Sequence, residues 1–139
     1  MRYLGLDLGS KTLGLSMSDP TGTVATSFNT IRHDEDYDKL LEDVKKIVEE
    51  YSIGAIVLGF PKNMNNTIGP KGELSLDFQK KLEKLVNVPV YLEDERLTTK
   101  TATDVLISGN VSRKNRKKVV DQLAATIILQ NYLDRRVKR

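Results

Sequence analysis

Arg2-Tyr3-Leu4-Gly5-Leu6-Asp7-Leu8-Gly9-Ser10-Lys11-Thr12-Leu13-Gly14-Leu15-Ser16-Met17-Ser18 holds two apolar alternations of period two, joined by the short link Gly9-Ser10-Lys11-Thr12. Leu4, Leu6 and Leu8 share one face of the first segment, and Leu13, Leu15 and Met17 share one face of the second, the pattern of strands buried on that side. The link makes them a hairpin. Their other face carries Gly5, Asp7, Gly14, Ser16 and Ser18, a single carboxylate among small residues. A buried carboxylate without a partner is expensive, and its small neighbours leave room above it for a metal ion or a substrate phosphate. A hydrogen bond from the Gly9 to Thr12 turn is the alternative reading.

Downstream, Asp19-Pro20-Thr21-Gly22 is a turn, and the β-branched stretch 23–31 reads as a third antiparallel strand. The period then changes. Tyr37, Leu40, Leu41, Val44, Ile47, Val48 and Tyr51 recur at helical spacing, so 36–51 is an amphipathic helix. Residues 55–58 form a short apolar run between Gly54 and Gly59, as in a buried parallel strand. A Gly/Pro/Asn-rich loop at 60–72, a helix at 73–86, a strand at 88–93 and helices at 98–108 and 117–133 complete the chain. The layout is mixed α/β: three antiparallel strands, then two parallel ones reached through helical crossovers, in a five-stranded sheet flanked by helices. No repeat or linker divides it, so 1–139 is expected to be a single domain.

The 139 residues are 39% hydrophobic and 29% charged, the composition of an ordinary globular domain. Such a domain buries about two thirds of its extended-chain surface and needs no metal merely to fold. With no cysteine, thiol catalysis, disulfide staples and sulfur-built zinc sites are excluded. No apolar run approaches the roughly 18 to 20 residues of a membrane span, and the N-terminus passes straight into strand-like sequence, so a cytoplasmic protein without a membrane partner is expected. The net charge of +3 hides an asymmetry: residues 113–139 carry nine basic and two acidic residues, leaving the rest of the chain net acidic. A basic segment on an acidic body suggests a polyanionic partner such as nucleic acid. A solubilising tail is an equal reading of its last cluster, Arg135, Arg136, Lys138 and Arg139.

Two further sites bear acids. Glu93, Asp94 and Glu95 stand together at a strand end, where ligands bind in parallel α/β sheets. Alternation puts Glu93 and Glu95 on one face and Asp94 on the other. Asp121 shares a helix face with Ala124, Ala125 and Ile128, in a helix apolar almost all round; interaction with the helix dipole or with Lys117 and Lys118 is the simpler account. Jointly, an acid in the first strand, one at a later strand end and one on the last helix can hold one or two Mg²⁺ or Mn²⁺ ions, which prefer oxygen ligands. Two such ions about 4 Å apart suit in-line displacement at a phosphodiester. Arg113, Lys114, Arg116, Lys117 and Lys118, at the entrance to the helix bearing Asp121, would hold the polyanion.

The stretches 5–14 with Ser18-Asp19, Gly59-Phe60-Pro61-Lys62-Asn63-Met64 with Gly69-Pro70, Asp94-Glu95-Arg96-Leu97-Thr98-Thr99, and Lys118-Val119-Val120-Asp121 through Gln130 resemble the YqgF family, also called RuvX. These are bacterial proteins with a ribonuclease-H-like fold, related to the RuvC Holliday junction resolvases. The resemblance spans nearly the whole chain in order. It implies a cytoplasmic nuclease maturing the 5′ end of pre-16S ribosomal RNA in ribosome biogenesis, acting on RNA or ribosomal particles, as a monomer or weak homodimer. Carried over by position, the family's acidic site falls on Asp7, Glu95 and Asp121, with Asp94 the open member. Asn66 stands in the mid-section loop where relatives often have Gly.

Lys11 is a candidate contact to substrate phosphate, and Arg96 either orients a carboxylate, meets the scissile phosphate or pairs with Glu93 or Asp94. Lys62 and Lys71 flank a loop that either closes over nucleic acid or is simply surface. His33, the sole histidine, is expected to be an exposed loop residue. A Holliday junction resolvase acting on branched DNA and a non-catalytic RNA-binding assembly factor are the competing functions. An actin-like ATPase ranks low because it requires two lobes.

Overall fold

The computed structural model describes residues 1–61, 68–95 and 113–137, with side chains in the last stretch from 123 to 136. The strands are β1 (Arg2–Leu8), β2 (Thr12–Ser18), β3 (Ala25–Arg32), β4 (Ile53–Phe60) and β5 (Val90–Asp94), and the helices are α1 (Tyr37–Glu50), α2 (Pro70–Leu85) and α3 (Arg113–Val137). One five-stranded sheet runs in the order β3-β2-β1-β4-β5. β1, β2 and β3 pair antiparallel, whereas β1–β4 and β4–β5 pair parallel. The mixed sheet expected from the sequence is therefore present, in the expected order of strand types. The helix expected at 98–108 lies outside the described residues.

The alternation in β1 and β2 assigns the two faces. Leu4, Leu6, Leu13 and Leu15 join Leu40, Val44, Ile56, Leu58, Phe78 and Leu82 in the larger core, under α1 and α2. Tyr3, Ala55 and Val57 form the opposite core with Ile128, Leu129 and Leu133 of α3. α3 is helical over a greater length than expected, and its first turns carry the five-cation run. α2 begins at Pro70, inside the stretch read as loop, because proline at N1 has its fixed φ already helical and no N–H to leave unpaired. The turn after β2 is organised by Asp19, whose carboxylate accepts the N–H groups of Thr23 and Val24, each at 2.8 Å. These bonds and that from the Thr21 hydroxyl hold its carboxyl well below the usual carboxylate range.

α3 approaches the sheet closely at one place. Gly5 pairs with Ser16 across the β1–β2 ladder, and the buried Ser16 hydroxyl donates to the Ala125 carbonyl at 2.7 Å. A Cβ at position 5 would stand 2.8 Å from Leu129 Cβ and 3.0 Å from the Ala125 carbonyl oxygen. Gln130 fastens the helix to β3, accepting from Ala25 N–H at 2.8 Å and donating to the Thr23 carbonyl at 3.0 Å. No helix among the described residues is long and apolar enough to cross a membrane.

Overpacking a close-packed core costs about 1–3 kcal/mol. Gly5→Ala is accordingly expected to lower stability by about that amount in urea unfolding, with the fold retained. An unchanged midpoint would show that α3 does not rest on the backbone at position 5.

Candidate functional site

The C-terminal ends of β1, β4 and β5 lie side by side, and two carboxylates meet there. Asp7 points to the α3 face of β1, opposite Gly14. Glu95 extends the β4–β5 ladder by one step, donating its N–H to the Phe60 carbonyl at 3.2 Å. The two side chains are hydrogen-bonded, and burial, the Asp7 charge and that bond push the Glu95 carboxyl far above its usual value, with Asp94 adding to the effect and Lys71 opposing it. One shared proton is the simplest way for two half-buried carboxylates to come so close.

Gly59 makes the approach possible. A Cβ there would lie 3.2 Å from the Glu95 carboxyl carbon and 2.7 Å from Ile128 Cδ1. The signal for this was present in the sequence, a glycine ending a buried strand, but its partner was not. Lys71, in the first turn of α2, also acts on Glu95; the sequence placed it only beside a loop.

Glu93 shares the sheet face of Glu95, as alternation requires, but has a different partner. It is 3% exposed and pairs with Arg135 of α3. Burial raises its carboxyl, and Arg135 offsets part of that rise. Glu93 thus ties α3 to β5, and Arg135 leaves the group of freely available tail cations. Arg96 lies outside the described residues, as do Lys62 and Asn66.

Asp121 lies within α3, and its side chain is not among those described. Its backbone level follows from the helix register. Tyr132 packs against Tyr3, with ring centroids 6.0 Å apart, and Ala125 sits at Gly5. The helix therefore runs antiparallel to β1. Four helical residues rise about 6 Å, and two strand residues advance about 6.6 Å, so position 121 comes level with Asp7. Arg113, Lys114, Arg116, Lys117 and Lys118 occupy the turns of α3 that precede it. Lys11 is exposed on the turn that follows Asp7.

His33 is buried, contrary to the exposed loop position expected. It is 6% exposed, with Nδ1 accepting the Glu35 N–H at 2.9 Å and Nε2 3.0 Å from the Gly9 carbonyl, to which it donates. Its backbone N–H also donates to the Lys11 carbonyl at 2.9 Å. The histidine is a clamp on the hairpin that follows Asp7. With both ring nitrogens engaged, it is not a general base for the acids.

The family model described as "RuvX: Holliday junction resolvase" matches residues 1–135. The chain belongs to the RuvX family. Among curated relatives, the "Putative pre-16S rRNA nuclease" of Bacillus subtilis (strain 168) is 54% identical over 135 residues, covering 96% of this chain and 98% of the relative. The protein of the same name from Clostridium botulinum (strain Eklund 17B / Type B) is 49% identical over 135 residues, covering 97% and 98%. In structure, T. thermophilus RuvC in complex with Holliday junction substrate aligns with a TM-score of 0.63 at 18% identity, over 99% of this chain and 96% of that one. This similarity shows the ribonuclease-H-like fold that the resemblance implied. For a RuvX protein the sheet end carrying Asp7 and Glu95 is accordingly the place to look for chemistry.

Oxygen is the only donor type that Asp7, Glu95 and Asp94 present, which suits a hard divalent cation. The raised Glu95 carboxyl reflects, beside burial, a repulsion from Asp7 that such a cation would relieve. Among the described residues, which do not include the Asp121 side chain, there is no cluster of three metal-ligating side chains.

The raised Glu95 carboxyl has a definite linkage sign. The folded metal-free protein keeps a proton that the unfolded chain releases near the ordinary value of 4.5, so stability falls as pH rises from there toward about 9. Urea unfolding in EDTA is expected to show this fall, and Glu95→Gln to flatten it, with the variant on the order of 1–3 kcal/mol more stable than the parent at pH 8. A parent whose stability between pH 6 and 8 follows the same profile as the variant's would contradict the raised Glu95 carboxyl.

Proposed function

We propose that this RuvX protein is a divalent-metal-dependent nuclease that hydrolyses phosphodiester bonds in maturing the 5′ end of pre-16S ribosomal RNA, in the cytoplasm. The observation that carries the reading is the Asp7–Glu95 carboxylate pair at the strand ends, with position 121 of α3 level with it. The names of the relatives from Bacillus subtilis and Clostridium botulinum support the substrate.

Asp7, Glu95 and Asp121 are the proposed ligands for one or two Mg²⁺ or Mn²⁺ ions, and the same three residues are the proposed catalytic set, with Asp94 adjoining. Such ions, when bound, supply Lewis acidity and activate water for in-line displacement. The chain's own contribution is positional. β1 and β5 hold two carboxylates at fixed separation, and α3 brings the third to their level. Burial keeps the carboxyls poised to exchange a proton for a cation. Lys11 on the hairpin, Arg96 after β5, and Arg113, Lys114, Arg116, Lys117 and Lys118 on α3 hold the phosphate backbone against an acidic body. A monomer suffices for this arrangement, because the three acids come from one chain.

The RuvX family description and the fold shared with a junction-bound RuvC favour a second reading, cleavage of branched DNA. Precursor 16S RNA, a model four-way junction and unstructured RNA, each with Mn²⁺, Mg²⁺ or EDTA, separate the two. Metal-dependent cleavage of the precursor is expected, with Asp7→Asn and Asp121→Asn each reducing the rate about a hundredfold or more. Cleavage in EDTA, or by either variant at the parent rate, would sink the metal mechanism, and preference for the junction would transfer the function to DNA. Mn²⁺ at a hundred times its Kd should stabilise the parent by about 2.7 kcal/mol, and this shift should vanish in Asp7→Asn.

A further inference from the structure

A cavity of about 160 Å³ opens where β1 ends, and its lining includes Leu8, Ser10, Glu35, Tyr37, Lys71 and Leu74. Leu8 points to the sheet face opposite Asp7, so the cavity lies on the α1–α2 side of the strand ends, and Lys71, which acts on Glu95, is the residue that links it to the carboxylate pair. Drug-sized ligands occupy about 300–1,000 Å³; this smaller space suits one flat, fused heterocycle. Its walls are apolar at Leu8 and Leu74 and aromatic at Tyr37, whose ring is tilted against the His33 ring with centroids 5.0 Å apart.

The polar lining is held in place at some expense. Asp34 and Glu35 have φ of 46° and 69°, two successive non-glycine residues in the left-handed region, where strain persists only if the surroundings enforce it. His33 enforces it, through Nδ1 to the Glu35 N–H and through its carbonyl, which accepts the Asp36 N–H at 2.8 Å. The Asp34 carboxylate pairs with Arg32 at 2.9 Å. That of Glu35 has no ion pair among the described residues. The cavity therefore offers an anionic acceptor from Glu35, a cationic donor from Lys71 and a stacking surface from Tyr37.

We propose that this cavity is a binding site for an unpaired guanine base, the nucleoside next to the phosphodiester engaged by the acid pair. Guanine presents two adjacent N–H donors, which the two oxygens of Glu35 accept, beside a carbonyl that accepts from Lys71. Adenine presents one such donor, and hypoxanthine lacks the exocyclic amino group. Bases read on this edge and stacked on an aromatic ring are the usual means of recognising single-stranded RNA. The base's place beside a scissile phosphate rests on the nuclease reading above, whereas its selection is measurable without turnover.

His33, as the sole histidine, gives one set of imidazole proton resonances beside the cavity. The full chain in EDTA is titrated with 5′-GMP, 5′-IMP, 5′-AMP and ribose 5-phosphate, and the His33 signals are followed by NMR. GMP is expected to shift them and to bind about tenfold more tightly than IMP or AMP, the order of discrimination of a bidentate base contact. Glu35→Gln, with its unliganded spectrum unchanged, is expected to bring the three nucleotides to within about twofold of one another. Equal binding of ribose 5-phosphate, equal binding of GMP and AMP, or preserved preference in Glu35→Gln would each overturn the guanine site. Cleavage of precursor RNA without GMP preference defeats this proposal alone, and GMP preference without cleavage of any nucleic acid defeats the nuclease reading alone.

Discussion

The close seating of α3 on β1 is the constraint from which the rest of the site follows. Gly5 has no side chain to hold the helix off, and the Ser16 hydroxyl reaches the Ala125 carbonyl beneath it. A single buried hydrogen bond contributes only about 1 kcal/mol net, so its importance is geometric more than energetic. It fixes the helix in register. One turn further along, the same register brings position 121 level with Asp7. Gln130 on β3 and Arg135 on Glu93 hold the helix at two other strands, so α3 cannot pivot about the Gly5 contact.

The carboxylates at the strand ends show what the fold gives up to have a site. Asp7 and Glu95 are two acids brought together beside a helix, and burial with the Asp7 charge holds the Glu95 carboxyl far above its usual value. Glu93, two residues earlier on the same face, is more deeply buried yet structurally settled, because Arg135 neutralises it. Two acids of one strand end thus have opposite partners. A buried carboxylate with a cationic partner is a tie, and one facing another carboxylate has its charged form disfavoured. Local rules are most often broken where a protein has chemistry to perform.

Fold and family bear differently on function. The ribonuclease-H-like sheet is shared with RuvC at 18% identity, and a fold alone hosts many substrates. Membership of the RuvX family narrows the chemistry to nucleic acid. Within that range the chain's charge is unevenly laid out, a net acidic body with cations gathered on α3.

Much of this was legible in the sequence. The alternations in 2–18 assigned both sheet faces, the change to helical spacing at 37 marked α1, and the strand types came out in the right order. Asp7 stood out as an acid on a strand face where burial makes acids costly, whereas Glu95 was one of three acids at a strand end and was singled out by the family resemblance. Such signals are local, because strand and helix periods follow from the geometry of a few consecutive residues. Tertiary structure decided what depends on residues far apart in the chain. It separated Glu95 from Glu93 by giving one Asp7 and the other Arg135, and it buried His33 against Gly9 and Glu35, where its position before a run of acids suggested exposure. It also gave Gly59 its purpose and aligned position 121 with β1. No period encodes these pairings; they arise only when packing brings α3, β1 and β5 to one place.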